Sequence, residues 1–94
     1  MRAGLRMKER FVLAENRFAE IVVWSVPVPV PGCAHGFKYR LSLVVDEVCV
    51  LRYDNESGKG DHRHMDGQES SYGFVSLEHL LDDFRRDIEA WKPQ

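Results

Sequence analysis

Apolar and polar positions alternate most clearly from Phe37 to Val45. Phe37, Tyr39, Leu41, Leu43 and Val45 fall on one side of an extended chain, and Lys38, Arg40, Ser42 and Val44 on the other. This predicts a strand with one buried face. Asp46-Glu47 turns the chain back, and Val48 to Tyr53 forms the return strand. Glutamate fits poorly at the positive φ of a tight two-residue hairpin, so a looser turn is predicted there. Upstream, Phe11-Val12-Leu13 reads as a short strand, Glu15-Asn16-Arg17 as a turn, and Phe18 to Val26 as a strand rich in β-branched and aromatic residues. In Val26-Pro27-Val28-Pro29-Val30-Pro31-Gly32 the prolines recur with period two, so all three missing donors lie on one edge of an extended chain. That predicts the end of an edge strand that cannot recruit a neighbour. The rival is a polyproline-like connector that binds a partner.

Residues 65–71 are polar, contain Gly67, and read as a turn. Tyr72 to Val75 reads as a last short strand. Ser76 is a good N-cap. Leu77, Leu80, Leu81, Phe84, Ile88 and Trp91 then form one apolar stripe at helical spacing, with Glu78, Asp82, Asp83, Arg85, Arg86, Asp87 and Glu89 around it. Pro93 ends the helix. The fold class expected is α+β: a single domain, with an antiparallel sheet of four to five strands and one C-terminal amphipathic helix on one face. Residues 9–94 make this domain. Residues 1–8, patternless and basic, are expected as a flexible arm, or as a leader if synthesis starts at Met7.

Composition narrows the picture further. A chain of 94 residues is one domain, and one of this size buries about 60–65% of its unfolded surface. A net charge of −2 argues against a protein that coats nucleic acid generically. The charge is uneven, however. Residues 1–64 hold ten Lys/Arg against eight Asp/Glu, and residues 65–94 hold three against seven. Cys33 and Cys49 make no disulfide framework and read as two small buried hydrophobes. Without an apolar run of the roughly 20 residues that span a bilayer, or a secretory signal, a cytoplasmic protein is expected and no membrane partner.

The densest chemistry lies in Arg52-Tyr53-Asp54-Asn55-Glu56-Ser57-Gly58-Lys59-Gly60-Asp61-His62-Arg63-His64. It reads as a charged loop leaving the return strand. In an extended segment His62 and His64 share one face, and Asp61 and Arg63 share the other. Two imidazoles near a cation suit acid–base cleavage of a phosphodiester, one taking a proton from a ribose 2′-hydroxyl and the other protonating the leaving oxygen. Lys59 and Arg63 are the expected phosphate-binding groups, and Arg52 and Tyr53 are expected to line the site. Gly58 and Gly60 would let backbone N–H groups approach the phosphate. Asp54 or Asp61 would orient an imidazole. No cofactor is expected. The alternatives are a divalent metal at His62 and His64, completed by Asp54, Asp61, Asp66 or Cys33 with His35; phosphate or nucleic-acid binding without chemistry; and a solvated loop of paired charges. His35 reads as a turn residue and His79 as a surface one.

The string from Arg52 to His64, with Phe37-Lys38-Tyr39-Arg40 before it and Tyr72-Gly73-Phe74-Val75-Ser76 after it, resembles the TumE-type toxins of bacterial toxin–antitoxin modules. The likeness runs from about Glu9 to Trp91. It includes Val23-Trp24, Val26-Pro27, Ala34-His35, Tyr53-Asp54-Asn55 and Gly-Lys-Gly-Asp-His-Arg-His at 58–64. Asp46-Glu47 departs from the Asp-Gly expected there. The resemblance implies a growth-inhibiting protein paired with a helix-turn-helix antitoxin. RNA as the target follows by analogy with such toxins, and a homodimer is left open. The alternative function is a non-catalytic module binding phosphate, nucleic acid or a regulator protein.

Overall fold

A computed structural model describes residues 3–93. Met1, Arg2 and Gln94, and with them part of the leader expectation, lie outside the described residues. Six strands run β1 Gly4–Ala14, β2 Arg17–Ser25, β3 Phe37–Val45, β4 Val48–Glu56, β5 Gly60–Met65 and β6 Gln68–Ser71, followed by helix α1, Leu77–Ala90. They form one antiparallel meander in which each strand pairs with the next.

The register decides which residues face the helix. Ala19 sits beside Leu43, which sits beside Leu51; Val23 beside Tyr39; Leu41 beside Tyr53. These side chains lie on one face and are buried together with Val45, under Leu80 and Phe84 of α1. Full burial of a leucine or phenylalanine contributes about 1.5–3 kcal/mol relative to exposure, so Leu80 and Phe84 alone hold the helix firmly. Ser76 caps α1 through its Oγ, which accepts from the His79 N–H at 3.0 Å. The expected helix, its cap and its stripe are all present, and Leu77, Leu81, Ile88 and Trp91 flank the buried pair.

Several expectations for the sheet need correction. Residues 4–8, within the expected arm, are strand, and Gly4 pairs with Ser25. The charged segment is no loop: β4 continues to Glu56, turns through residues 57–59, and returns as β5. Residues 68–71 form β6 after an Asp66-Gly67 turn in which both residues have positive φ, whereas Tyr72 to Val75 is not strand. Asp46-Glu47 is a tight turn despite its glutamate, with φ of 50° and 66°. It is braced from outside, since the Asp46 N–H donates to the Asn16 carbonyl and Asn16 Nδ2 donates to Asp46 Oδ1.

The Val-Pro segment is not strand either. It lies in the β2–β3 connection and folds back onto the β4–β5 turn, where the Gly58 N–H donates to the Pro31 carbonyl at 2.8 Å. Its edge role passes to β1 and β6. Cys49 is exposed and Cys33 only half-buried, so they are not a buried pair.

Candidate active site on the open sheet face

Alternation within β4 and β5 divides the charged segment between two faces. Tyr53, Asp61 and Arg63 face the helix. Arg52, Asp54, His62 and His64 face away from it, on a side no element covers among the described residues.

On the helix side the polar groups are spent on structure. Arg63 Nε donates to Asp87 Oδ2 at 2.7 Å and to the Tyr53 hydroxyl at 3.2 Å, and the Tyr53 hydroxyl donates to the same carboxylate oxygen. Burial, then this bond to Asp87, pushes the Tyr53 phenol well above its ordinary pKa. Asp61 Oδ1 accepts from the Tyr39 hydroxyl at 2.7 Å and from His35 Nε2 at 2.8 Å. His35 is a loop residue as expected, but its ring also stacks on Phe74 with centroids 3.7 Å apart. The structure therefore separates Arg63, Tyr53 and Asp61 from the histidine pair they were expected to serve. His79, by contrast, is a surface residue on α1.

Gly58 and Gly60 also have another use. The Gly58 N–H is taken by Pro31, and a Cβ on Gly60 would stand 2.8 Å from the Gly32 carbonyl oxygen. At φ +74° and with that backbone so close, only glycine fits. These glycines let the proline loop seat against the hairpin.

The open face gathers the remainder. Asp54 pairs with His62 across β4 and β5, and Arg52 with His64. His62 is 4% exposed, with Nε2 lying 2.8 Å from Asp54 Oδ1 and 3.4 Å from Glu69 Oε1. His64 is more open, its Nε2 3.2 Å from Glu69 Oε2, and the two imidazole centroids are 6.0 Å apart. Arg52 Nε lies 3.1 Å from Asp54 Oδ2, and Lys59 Nζ 3.7 Å from Glu69 Oε1. Partial desolvation works to raise the Glu69 carboxyl; the charges of Lys59, His64 and His62 more than offset it and hold the group below its ordinary pKa. Around this centre lie Lys38, Arg40 and Trp24, along a shallow hollow shared with Val22, Asp54 and Glu56.

Sequence reasoning missed Glu69, Lys38, Arg40 and Trp24 as members of this face. The Asp66-Gly67 dipeptide is a strong hairpin signal, and reading it as one places Glu69 opposite His64. Asn55 was missed as well. Fully buried, it accepts from the Tyr39 N–H and donates to the Phe37 carbonyl, completing the β3–β4 ladder where backbone pairing stops.

The string spanning β4 and β5 has a counterpart in known proteins. A family model described as Toxin TumE matches residues 2–92. The protein belongs to the TumE toxin family. No curated protein and no solved structure matched the chain. A TumE toxin is one component of a toxin–antitoxin module, so an antitoxin partner follows from the family, and the open face is where this member concentrates groups able to do chemistry. No helix among the described residues is long and apolar enough to cross a membrane.

Proposed function

We propose that this TumE protein arrests growth by acting on RNA, and that the open sheet face around His62 and His64 is its effector site. One observation carries the reading: two imidazoles share an uncovered face with a surplus of cations. By register Lys8, Arg10, Lys38, Arg40 and Arg52 lie on that face, with Lys59 at its end, against Glu20, Asp54, Glu56 and Glu69. Single-stranded RNA binds such faces through phosphate–cation pairs and stacking on aromatic rings, and Trp24, 39% exposed, supplies a ring.

His64 is the member a substrate can reach. His62 is the buried member, set by Asp54. In the scheme expected from sequence both rings exchange protons with the ribose and the leaving oxygen; in this geometry His64 takes the ribose proton, the leaving oxygen takes its proton from water, and His62 holds the carboxylates of Asp54 and Glu69 in place. Arg52 and Lys59 remain as phosphate-binding groups, joined by Arg40 in place of Arg63.

For the antitoxin, which we take to be a helix-turn-helix protein, the supporting surface is the apolar groove between β1 and α1. Met7, Phe11, Ile21, Leu81 and Ile88 line it, beside the unpaired edge of β1.

The test is bacterial growth after induced expression of the wild-type chain and of His62→Ala/His64→Ala, at matched soluble levels. Arrest by the wild type alone, with loss of RNA integrity, is the expected result. Arrest by both would remove the histidines from the mechanism. Growth unaffected by either would favour a non-catalytic binding module.

A further inference from the structure

The pair His62 and His64 has a second property that acid–base chemistry alone does not need. One ligand atom from each ring and one from the Glu69 carboxylate all lie within 4.8 Å of one another, and His62 Nε2 stands 3.4 Å from Oε1 and His64 Nε2 3.2 Å from Oε2. Ligand atoms about 2.0–2.1 Å from a tetrahedral ion stand about 3.3 Å apart. The two N–O separations match that spacing, and the group as a whole is compact enough to close on one ion.

The tautomer of His62 fits the same role. Its Nδ1–H donates to the Gly60 carbonyl at 3.3 Å, so in the neutral ring Nε2 carries a lone pair. That lone pair faces two carboxylates, an arrangement that calls for a positive centre. Asp54 supplies an independent observation. It is 7% exposed, and its Oδ1 is buried without a hydrogen-bond partner although His62 Nε2 stands 2.8 Å away. Arg52, close to the other oxygen, steadies the carboxylate. A buried carboxylate oxygen with no donor thus stands beside the His62 nitrogen that faces Glu69.

We propose that His62, His64 and Glu69 bind one divalent transition-metal ion of the zinc type, with Asp54 beside His62. Two imidazoles with carboxylates select this class over magnesium or calcium, which prefer oxygen alone. The hairpin architecture builds the site: the β4–β5 register sets Asp54 opposite His62, and the Asp66-Gly67 turn sets Glu69 opposite His64. Of the two other convergent groups among the described residues, that of Asp54, Glu56 and His62 shares His62 and offers one imidazole instead of two, and that of Cys33, His35 and Asp61 does not compete. Both His35 ring nitrogens are engaged, one by Asp61 and one by the Phe37 N–H, and burial pushes the Cys33 thiol up. An Nε2 that ligates the ion cannot also carry a proton, so a metal-loaded His64 would not be the acid–base group of the effector-site reading, and the proposal rests on that reading only for the use of the ion; its binding stands or falls by itself.

The full chain, stripped of metal with a chelator, is titrated with zinc chloride by calorimetry, and with cobalt(II) to read the visible absorption of a tetrahedral site. One ion per chain is expected, with a raised Tm. His64→Ala and Glu69→Gln replace partly exposed ligands and preserve the fold; each should weaken binding by about tenfold or more and reduce the cobalt band, while Cys33→Ala leaves both unchanged. No saturable binding, or affinity unchanged in both ligand variants, overturns the proposal. Binding of a short single-stranded RNA, measured in parallel on wild type and Arg40→Ala, separates the two readings: a wild type that binds zinc but no RNA rejects only the RNA target, and one that binds RNA, weakened in Arg40→Ala, but no zinc rejects only the ion.

Discussion

Arg63 Nε lies 2.7 Å from Asp87 Oδ2, and this contact joins the face of β5 to α1. The Tyr53 hydroxyl meets the same oxygen, so strands β4 and β5 and the helix share one knot. Removing one member leaves a partly buried charge without its partner. Arg63→Ala should lower stability by about 1.5–3 kcal/mol, read from urea unfolding. It should not change zinc affinity, because Arg63 and the histidines face opposite ways. A variant of wild-type stability would mean that the knot adds nothing beyond the apolar contacts around it.

The three tyrosines predict the alkaline limit of the fold. Burial raises Tyr39, Tyr53 and Tyr72 above the ordinary phenol pKa, helped by bonds to Asp61, Asp87 and Asp83 respectively. Below about pH 10 neither the folded nor the unfolded phenol ionises, so this contribution is fully present. Above it the unfolded chain loses protons that the folded chain keeps, and stability falls as pH rises. Since these are all the tyrosines of the chain, phenolate absorbance should appear together with loss of circular dichroism. Absorbance rising near pH 10 in a chain still folded would contradict the burial.

Two glycines of one turn should respond differently to alanine. Gly58 has φ +84° and open space around it, so Gly58→Ala carries only the left-handed cost of about 1–2 kcal/mol. Gly60→Ala adds a Cβ 2.8 Å from the Gly32 carbonyl oxygen and must also displace the proline loop. It should be the more destabilising by at least about 1 kcal/mol. Equal melting temperatures would refute the close approach of the two backbones.

Glu47 pays the same left-handed cost at φ 66°. Glu47→Gly should therefore stabilise the protein, by about 0.5–1 kcal/mol after the entropy of glycine is counted. Its side chain is outside the candidate site, so growth inhibition should persist. A lower midpoint in urea would show that the glutamate has a use its backbone does not reveal.

RNA binding, if the open face carries it, should depend on salt. Arg40→Ala should lower the slope of log K against log salt by about 0.7 for a single strand, and Trp24→Ala should cost about 1–3 kcal/mol with the slope unchanged. Filter binding across a salt series checks both, and a Trp24 variant that binds as tightly as the wild type would remove the stacking platform.

The helix and β3 are legible in the chain because each shows one face to the core and one to water, which writes a clean period into the residues. β1 is not. It is an edge strand with both faces largely open, so its polar and apolar positions carry little contrast. β6 is wholly exposed and polar, and only its Asp-Gly turn announces it. The shared face of His62 and His64 follows from alternation alone. The separation of Arg63 from them follows from the same alternation, once the segment is strand to its end. Glu69 needs the register of a second hairpin, and the burial of Asn55 needs a gap in a ladder 16 residues away. The seat of the proline loop depends on Gly32 meeting Gly60, a contact no local pattern records.

A meander in which each strand pairs with the one before it can assemble as the chain leaves the ribosome. Its lid cannot. The leucines of β3 and β4 wait for Leu80 and Phe84, so the nascent sheet carries an uncovered greasy side until residues 77–90 have emerged. Through that interval the molecule depends on whatever shields such surfaces in the cell, and a ribosome stalled before the helix would release an aggregation-prone fragment, even though every strand of the sheet had already been made.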